Sequence, residues 1–292
     1  MELELKKECL DTYELGEPQT LTQEETAETI VPDYCPDIAR IISAEGVVCL
    51  HGGTEQDGVT GTVRVTVLYT PENESGVRAL EFAMPFSAQG EGLAGCAHVV
   101  VETEIELLES RMLNPRKIFT RCKLVTHLAG CRKVCLTISS DAETDPALLV
   151  EKRCCGQTVS LLRQVAEKDL TFSETMSLSL GREGAAELLH CRANGIVTET
   201  KAIGNKLIFK GVFLVSALYR TIGGQLASAS AELPFSQIME TDSTEENTQV
   251  SMRLRITGTD IQIDGSDDEG RQLSVTVYYH TMAFLREARE VT

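Results

Sequence analysis

The chain has 292 residues but no tryptophan, and aromatic residues make up only 5% of it. Sugar-binding modules usually stack pyranose rings on exposed aromatic side chains, so this scarcity disfavours a carbohydrate-binding surface. Tyr69, Tyr219, Tyr278 and Tyr279 end or lie within apolar segments, and we expect them to be core or cross-strand residues. A peptidoglycan or polysaccharide ligand is therefore kept only as an alternative hypothesis.

Basic residues are also in short supply, because 27 Lys and Arg stand against 44 Asp and Glu, leaving a formal net charge of −17. Binding of nucleic acids and of anionic membranes depends largely on Lys and Arg, so neither is an expected partner. The deficit is uneven: residues 1–145 carry 25 acids and 12 bases, whereas residues 146–292 carry 19 and 15. A basic or neutral partner fits this charge best.

Long hydrophobic runs are missing as well. No stretch of about 18 apolar residues occurs, which argues against a membrane span. Residues 1–8 alternate acidic and apolar side chains and lack the apolar core of a signal peptide. We therefore expect a cytoplasmic protein without membrane insertion, whose ten cysteines are reduced thiols.

Motifs that would name a reaction are absent too. The sequence has no Walker loop, no Gly-x-Gly-x-x-Gly fingerprint and no Gly-x-Ser-x-Gly elbow, so neither a nucleotide cofactor nor a serine nucleophile is indicated. The segment His51-Gly52-Gly53 resembles an oxyanion loop but has no nucleophile to serve. The histidines lie scattered, none of them four residues from another: His51, His98, His127, His190 and His280. We predict no enzyme, no catalytic residue and no cofactor, with a cryptic hydrolase as the third hypothesis.

Two groups of residues have some of the character of metal ligands. The cysteines in question are Cys122, Cys131, Cys135, Cys154 and Cys155. Their spacing differs from the Cys-x-x-Cys pairs of structural zinc sites, and it does not recur along the chain. The acidic segment Asp264–Gly270 lacks the 12-residue spacing of a calcium loop and is typical of a solvated hairpin. We predict no metal site.

What the sequence does contain is a strand that occurs twice. Gly61–Tyr69 reads GTVRVTVLY and Gly211–Tyr219 reads GVFLVSALY. Both begin with glycine, continue with β-branched, aliphatic or aromatic residues and end on Leu-Tyr, a composition typical of a buried β-strand. The repeat predicts that the chain consists of two copies of one unit, with these two strands at their centres.

Other segments recur in the same order. Leu21–Thr26 matches Leu170–Thr175, and Met84-Pro85-Phe86 matches Leu233-Pro234-Phe235. Because proline cannot donate to a β-ladder, the Pro85 and Pro234 segments should be edge strands. Such edges also suggest self-association by strand addition, which proline usually opposes. The last strands of the two copies are Arg116–Val125 and Arg271–Tyr279.

One helix per unit is expected between these strands. In residues 36–43, Ile38, Ile41 and Ile42 have the i, i+3, i+4 spacing of a helical face, and residues 183–190 are their counterpart. The fold is therefore predicted to be mainly β, with two tandem β-sandwich or partial-barrel domains of six to eight strands, each carrying one short helix. We place the domains at residues 1–145 and 146–292, joined by a polar linker over residues 139–146.

The unit resembles the SPOCS-domain family of endospore-forming bacteria. The resemblance is carried by the following segments: Ile30–Ile42, Gly61–Tyr69, Met84–Phe86 and Arg116–Val125, with the second copy in the same order. It implies a non-enzymatic protein, made in the mother cell and placed at the forespore surface, that helps assemble the spore coat or its basement layer by contact with other coat or morphogenetic proteins. No LysM module is recognisable before Thr292, so docking through such a module is not expected.

Overall fold

The computed structural model describes residues 4–51, 58–143, 151, 153, 155–178, 183–242, 244–245, 247–264 and 271–291. These residues form thirteen β-strands and no helix. The strands are β1 (Glu4–Leu15), β2 (Gln19–Ile30), β3 (Ile38–Leu50), β4 (Gly58–Pro71), β5 (Arg78–Gln89), β6 (His98–Asn114), β7 (Lys117–Glu143), β8 (Gln157–Ser177), β9 (Ala185–Ile203), β10 (Lys206–Thr221), β11 (Leu226–Glu240), β12 (Gln249–Ile263) and β13 (Gln272–Val291).

The strands form two sandwiches with the same strand order. In the first sandwich the sheet β3-β4-β5 packs on a second sheet, in which the 27-residue strand β7 pairs with β6, β2 and β1. In the second sandwich β9-β10-β11 packs on β12-β13-β8. The continuous strand β8 thus corresponds to β1 and β2 together. The prediction of a mainly β fold is confirmed.

The duplicated strands β4 and β10 are the central strands of their sheets, as predicted. Their side chains alternate between buried and more exposed positions. In β4 the buried side chains include Val63, Val65 and Val67, which join a core cluster with Ile118 and Leu124 of the opposite sheet. Because β-branched residues suit a pleated, buried surface, the apolar pattern of these two strands determines which face points to the core.

A glycine recurs at one position of both central strands because an aromatic ring covers it. Gly61 pairs with Phe86, and a Cβ atom at residue 61 would lie 2.5 Å from the Phe86 ring. Gly211 pairs with Phe235, whose ring also occupies the space of a Cβ atom. An aromatic side chain folded over a cross-strand glycine buries apolar surface that the glycine cannot supply.

The predicted helices are wrong. Residues 38–43 lie in β3, and residues 185–190 lie in β9. The register of β3 against β4 shifts between Ile38 and Arg40 and again between Ile41 and Ser43. Each β-bulge inserts one extra residue, so inward-facing residues recur after three positions instead of two. The bulges therefore imitate helical spacing, and Ile42 is itself 49% exposed.

The proline segments lie at sheet edges, as predicted. Pro85 is in β5 opposite Thr62, and Pro234 is in β11 opposite Val212. Each of these strands pairs with one neighbour in its three-stranded sheet. The missing amide proton therefore removes no hydrogen bond from a central ladder.

Two other expectations need correction. Residues 139–143 do not form a linker but continue β7, while the predicted boundary between residues 145 and 146 lies outside the described residues. Cys9 and Cys135 are joined by a disulfide bond between β1 and β7. The prediction that all cysteines are free thiols is therefore wrong for this pair.

Candidate functional site

The two sandwiches contact each other, and several ionisable side chains form pairs across this junction. Strand β1 of the first sandwich lies against β8 of the second, while β3 and β5 contact β12 and β9. A small apolar cluster lies between them: Val100, Cys131, Leu162, Val165, Met282 and Phe284, all buried. Burial of this apolar surface holds the sandwiches together and fixes the polar groups around it.

Two histidines share one carboxylate beside this cluster. His98 Nδ1, from the first sandwich, lies 2.7 Å from Glu167 Oε1 of the second. His280 Nε2 lies 3.6 Å from Glu167 Oε2, and His280 Nδ1 lies 2.8 Å from Asp169 Oδ1. The carboxylate of Glu167 thus links β6 of one sandwich to β8 and β13 of the other.

This arrangement suits a structural link better than acid–base catalysis. A general base needs a ring nitrogen within hydrogen-bond reach of a substrate proton. Both ring nitrogens of His280 face carboxylate oxygens, and Nδ1 of His98 faces a third. The described residues offer no serine or cysteine in hydrogen-bond contact with these histidines.

Two arginines of β12 extend the same polar junction. Arg253 Nη1 lies 3.5 Å from Glu102 Oε2, and Arg255 Nη1 donates to the carbonyl of Val101 at 3.5 Å. Burial lowers the pKa of the Arg255 guanidinium, and the charges of Asp169 and Glu167 oppose that shift. Among the described residues, Nε of Arg255 has no hydrogen-bond partner. Both arginines line a cleft of about 230 Å³ between the sandwiches, together with Glu167 and Asp169.

A second cleft between the sandwiches measures about 390 Å³. His190 Nε2 lies 3.1 Å from Glu45 Oε2 across it, and Arg64 donates to the carbonyl of Thr259 at 2.9 Å. Cys191 also lines this cleft, and burial raises the pKa of its thiol to about 12. Because the thiolate is the reactive form of cysteine, this cleft does not favour a nucleophilic thiol.

The cysteines considered as metal ligands are dispersed. Cys122 and Cys131 are buried in β7, and burial raises the pKa of each thiol to about 11. Cys135 is bound to Cys9, Cys155 is exposed, and Cys154 lies outside the described residues. Within the described part of the chain, no three His, Cys, Asp or Glu side chains are arranged to hold a metal ion.

The remaining candidates have ordinary environments or are not described. Residues 52–57 and 265–270, which contain most of the His51-Gly52-Gly53 segment and of the acidic hairpin, lie outside the described residues. His51 and His127 make hydrogen bonds to Thr62 and Thr20. The tyrosines at 69, 219 and 279 are buried core residues, whereas Tyr278 is 45% exposed.

The sequence did not predict that His98 and His280 contact the same carboxylate, that of Glu167. The two histidines belong to different copies of the unit, and Glu167 lies on β8, the strand that pairs with the β13 strand of His280. Only the docking of the sandwiches brings them together, so no local spacing or motif could have indicated it. The buried apolar residues around them, such as Leu162 and Phe284, carry the only sequence signal, because an unpaired apolar surface has to be covered.

Residues 185–264 match the family described as SipL, SPOCS domain. The matched segment contains β9, β10, β11 and β12 of the second sandwich. Within this segment the match confirms the resemblance to the SPOCS-domain family, which suggests a sporulation-related protein. No curated protein and no solved structure matches the chain. In the described residues, no helix has the length and apolar character needed to cross a membrane.

Proposed function

We propose that this chain is a non-enzymatic assembly protein of the spore envelope. In this proposal it is made in the mother cell and acts at the forespore surface by binding coat or morphogenetic proteins. The SPOCS-domain match over residues 185–264 is the observation that carries the proposal. The first sandwich repeats the strand order of the matched one, which extends the argument to both halves of the chain.

The chemistry of the junction supports this reading. His98, Glu167, His280 and Asp169 pair with one another across the two sandwiches. Side chains committed to such contacts orient the two units relative to each other, which suits a protein whose surfaces must be presented in a defined arrangement. The net charge of −17 favours basic partners over nucleic acid.

The proposal includes self-association only by strand addition at the edge strands that carry the prolines. Strands β5 and β11 are edge strands of their sheets, and each carries a proline, Pro85 or Pro234. Proline blunts strand addition, so replacing it with a residue that can donate should increase self-association. Sedimentation velocity of P85T and P234T at rising concentration measures this; unchanged sedimentation of both variants would count against edge pairing.

The function itself is tested in sporulating cells. A fluorescent fusion should collect at the forespore surface during engulfment, and deletion of the gene should leave the coat mislocalised or incomplete in electron micrographs. A fusion that stays diffuse, together with normal coats in the deletion strain, would overturn the proposal. Co-sedimentation of the purified chain with peptidoglycan would instead support the glycan-binding alternative.

A further inference from the structure

The loop between β2 and β3, residues 31–37, presents one large side chain to solvent. Tyr34 is 88% exposed, more than any other large hydrophobic side chain among the described residues. Ile30, at the end of β2, is 71% exposed. Exposed tyrosine is enriched at interaction hot spots because it offers a large amphipathic surface at a low cost in side-chain entropy.

One guanidinium group, that of Arg116, makes four hydrogen bonds to the loop that carries Tyr34. Arg116 donates to the carbonyls of Cys35 and Val31, at 2.7 and 2.8 Å. It also donates to Oδ1 of Asp37 at 3.0 Å and to Oδ1 of Asp33 at 3.2 Å. Hydrogen bonds that involve a charged group are stronger than neutral ones, so this single residue ties four points of the loop together.

Further contacts fix the loop to the sandwich. The amide of Val31 donates to the carbonyl of Arg116, and the Cys35 amide donates to the Pro32 carbonyl within the loop, both at 2.9 Å. The hydroxyl of Tyr69, a buried core residue, donates to the Pro36 carbonyl at 3.3 Å. With two prolines and these bonds, the loop loses little conformational freedom when a partner binds.

The charge around Tyr34 indicates what kind of partner it fits. Asp33 and Asp37 flank the tyrosine in the loop, and one guanidinium, that of Arg116, stands against the two carboxylates. The Asp33 side chain is fully exposed. An exposed tyrosine next in sequence to an exposed carboxylate suits a Lys or Arg side chain, which can contact both an aromatic face and an acid.

We propose that Tyr34, Asp33 and Ile30 form a docking surface for a Lys- or Arg-containing segment of a partner protein. The proposal rests on the proposed function and specifies the surface through which it acts. A second copy of this chain fits this surface poorly, because its 27 Lys and Arg are outnumbered by 44 Asp and Glu. In the second copy of the unit, residues 178–184 contain no aromatic residue, so the surface belongs to the first copy.

A defined peptide tests the surface in solution. The probe is acetyl-Gly-Arg-Gly-Lys-Gly-amide, titrated into the ¹⁵N-labelled full chain, with the Glu-substituted peptide as a control. We expect saturable amide shifts centred on Tyr34 and Asp33. Tyr34→Ala should weaken binding about fivefold, whereas Tyr34→Phe, which keeps the ring face, should change it less than about twofold. Shifts centred elsewhere, or unchanged affinity of Y34A, would overturn the proposal.

Two further variants separate the surface from general effects. Tyr278→Ala removes another exposed tyrosine, in β13 of the second sandwich, and should leave peptide binding unchanged. Arg116→Lys keeps Tyr34 and a positive charge beside the two carboxylates but cannot make all the contacts of the guanidinium, so it should weaken binding because the loop must then be ordered. Equal losses in Y278A and Y34A would contradict the assigned surface. Because Tyr34 is almost fully exposed, Y34A should fold normally, which circular dichroism checks.

A cellular arm distinguishes this surface from the proposed function. If the wild-type fusion reaches the forespore and the Y34A fusion stays diffuse, both proposals are supported. If both fusions reach the forespore, the function stands and the Tyr34 surface is wrong. If the wild-type fusion stays diffuse, the proposed function fails, and the peptide titration alone decides whether the surface binds basic segments.

Discussion

The two sandwiches share their strand order but fill their cores differently. In the second, Phe213 packs its ring against Phe235, Tyr279 and Phe172, with ring centroids 4.6 to 5.1 Å apart. In the first, the equivalent position after the shared glycine is Val63, also fully buried. The two copies thus keep the same pattern of inward-facing positions, although side chains of different size fill those positions.

The copies also differ where the chain enters the sheet. The first copy divides its opening strand into β1 and β2 and follows it with the braced loop at residues 31–37, whereas the second uses the single strand β8. The first copy carries most of the negative charge. The copies thus share their strand order and their pattern of inward-facing positions, whereas this loop and the charge differ at the surface, which is where a difference in partners would arise.

The largest effect is expected from a variant that disrupts the glycine–phenylalanine pairing that both copies share. In Gly211→Ala the new methyl group would overlap the Ile196 carbonyl oxygen and the Phe235 ring. A backbone oxygen cannot move without distorting the sheet, so we expect a loss of at least about 3 kcal/mol in the free energy of unfolding. Urea unfolding followed by circular dichroism measures it.

The matched variant Gly61→Ala should cost less, about 1–3 kcal/mol. Its methyl group would lie 2.5 Å from the Phe86 ring but 3.0 Å from the nearest backbone atom, the Cys49 oxygen, and a ring can turn aside. Gly156→Ala, with nothing within 4 Å, is the neutral control. A G61A variant less stable than G211A would show that the two copies do not use this pairing in the same way.

The second prediction exchanges the core residues that distinguish the copies. Phe213→Val removes a ring that packs against three others and should lower the free energy of unfolding by about 2–4 kcal/mol. Val63→Phe inserts a ring into an aliphatic core and should cost about 1–3 kcal/mol. If V63F proved neutral in urea unfolding, the first core would contain space that its packing does not indicate.

The third prediction concerns the junction between the copies. Glu167→Gln removes the negative charge shared by His98 and His280. Since the group is partly exposed, we expect a loss of only about 1 kcal/mol in docking of the sandwiches. Hydrogen exchange should rise at the junction amides of β8 and β13 but not in β4. Glu174→Gln, an exposed residue of β8, is the control; equal changes in both variants would contradict a role for the shared carboxylate.

Much of the fold could be predicted because it follows from local patterns. The repeated segments in β4 and β10 are rich in β-branched, aliphatic and aromatic residues, which is typical of a buried strand. The prolines at 85 and 234 indicate edge strands because proline has no amide proton to donate. The helix predicted at residues 36–43 is wrong because two bulges in β3 change the spacing of inward-facing residues from two positions to three. Bulges depend on the register of the partner strand, which local sequence does not reveal.

The candidate sites were harder to predict, because they depend on contacts between distant segments. Arg116 and the loop it holds are more than seventy positions apart in the chain, and His98 meets Glu167 only through docking of the two sandwiches. The disulfide between Cys9 and Cys135 joins β1 and β7, which are neighbours in the sheet but far apart in the chain. None of these pairs has a sequence spacing that distinguishes it from chance.

The smallest effect is expected at the two tyrosines that end the duplicated segments. Tyr69 and Tyr219 are both buried, but the hydroxyl of Tyr69 donates to the Pro36 carbonyl, whereas that of Tyr219 has no hydrogen-bond partner in the described part of the chain. A buried hydroxyl without a partner costs free energy that phenylalanine avoids. Tyr219→Phe should therefore be neutral or slightly stabilising, while Tyr69→Phe should lower the free energy of unfolding by about 0.5–1.5 kcal/mol. Urea midpoints of the two variants give the comparison directly, and a larger loss in Y219F would show that its hydroxyl is bonded in solution.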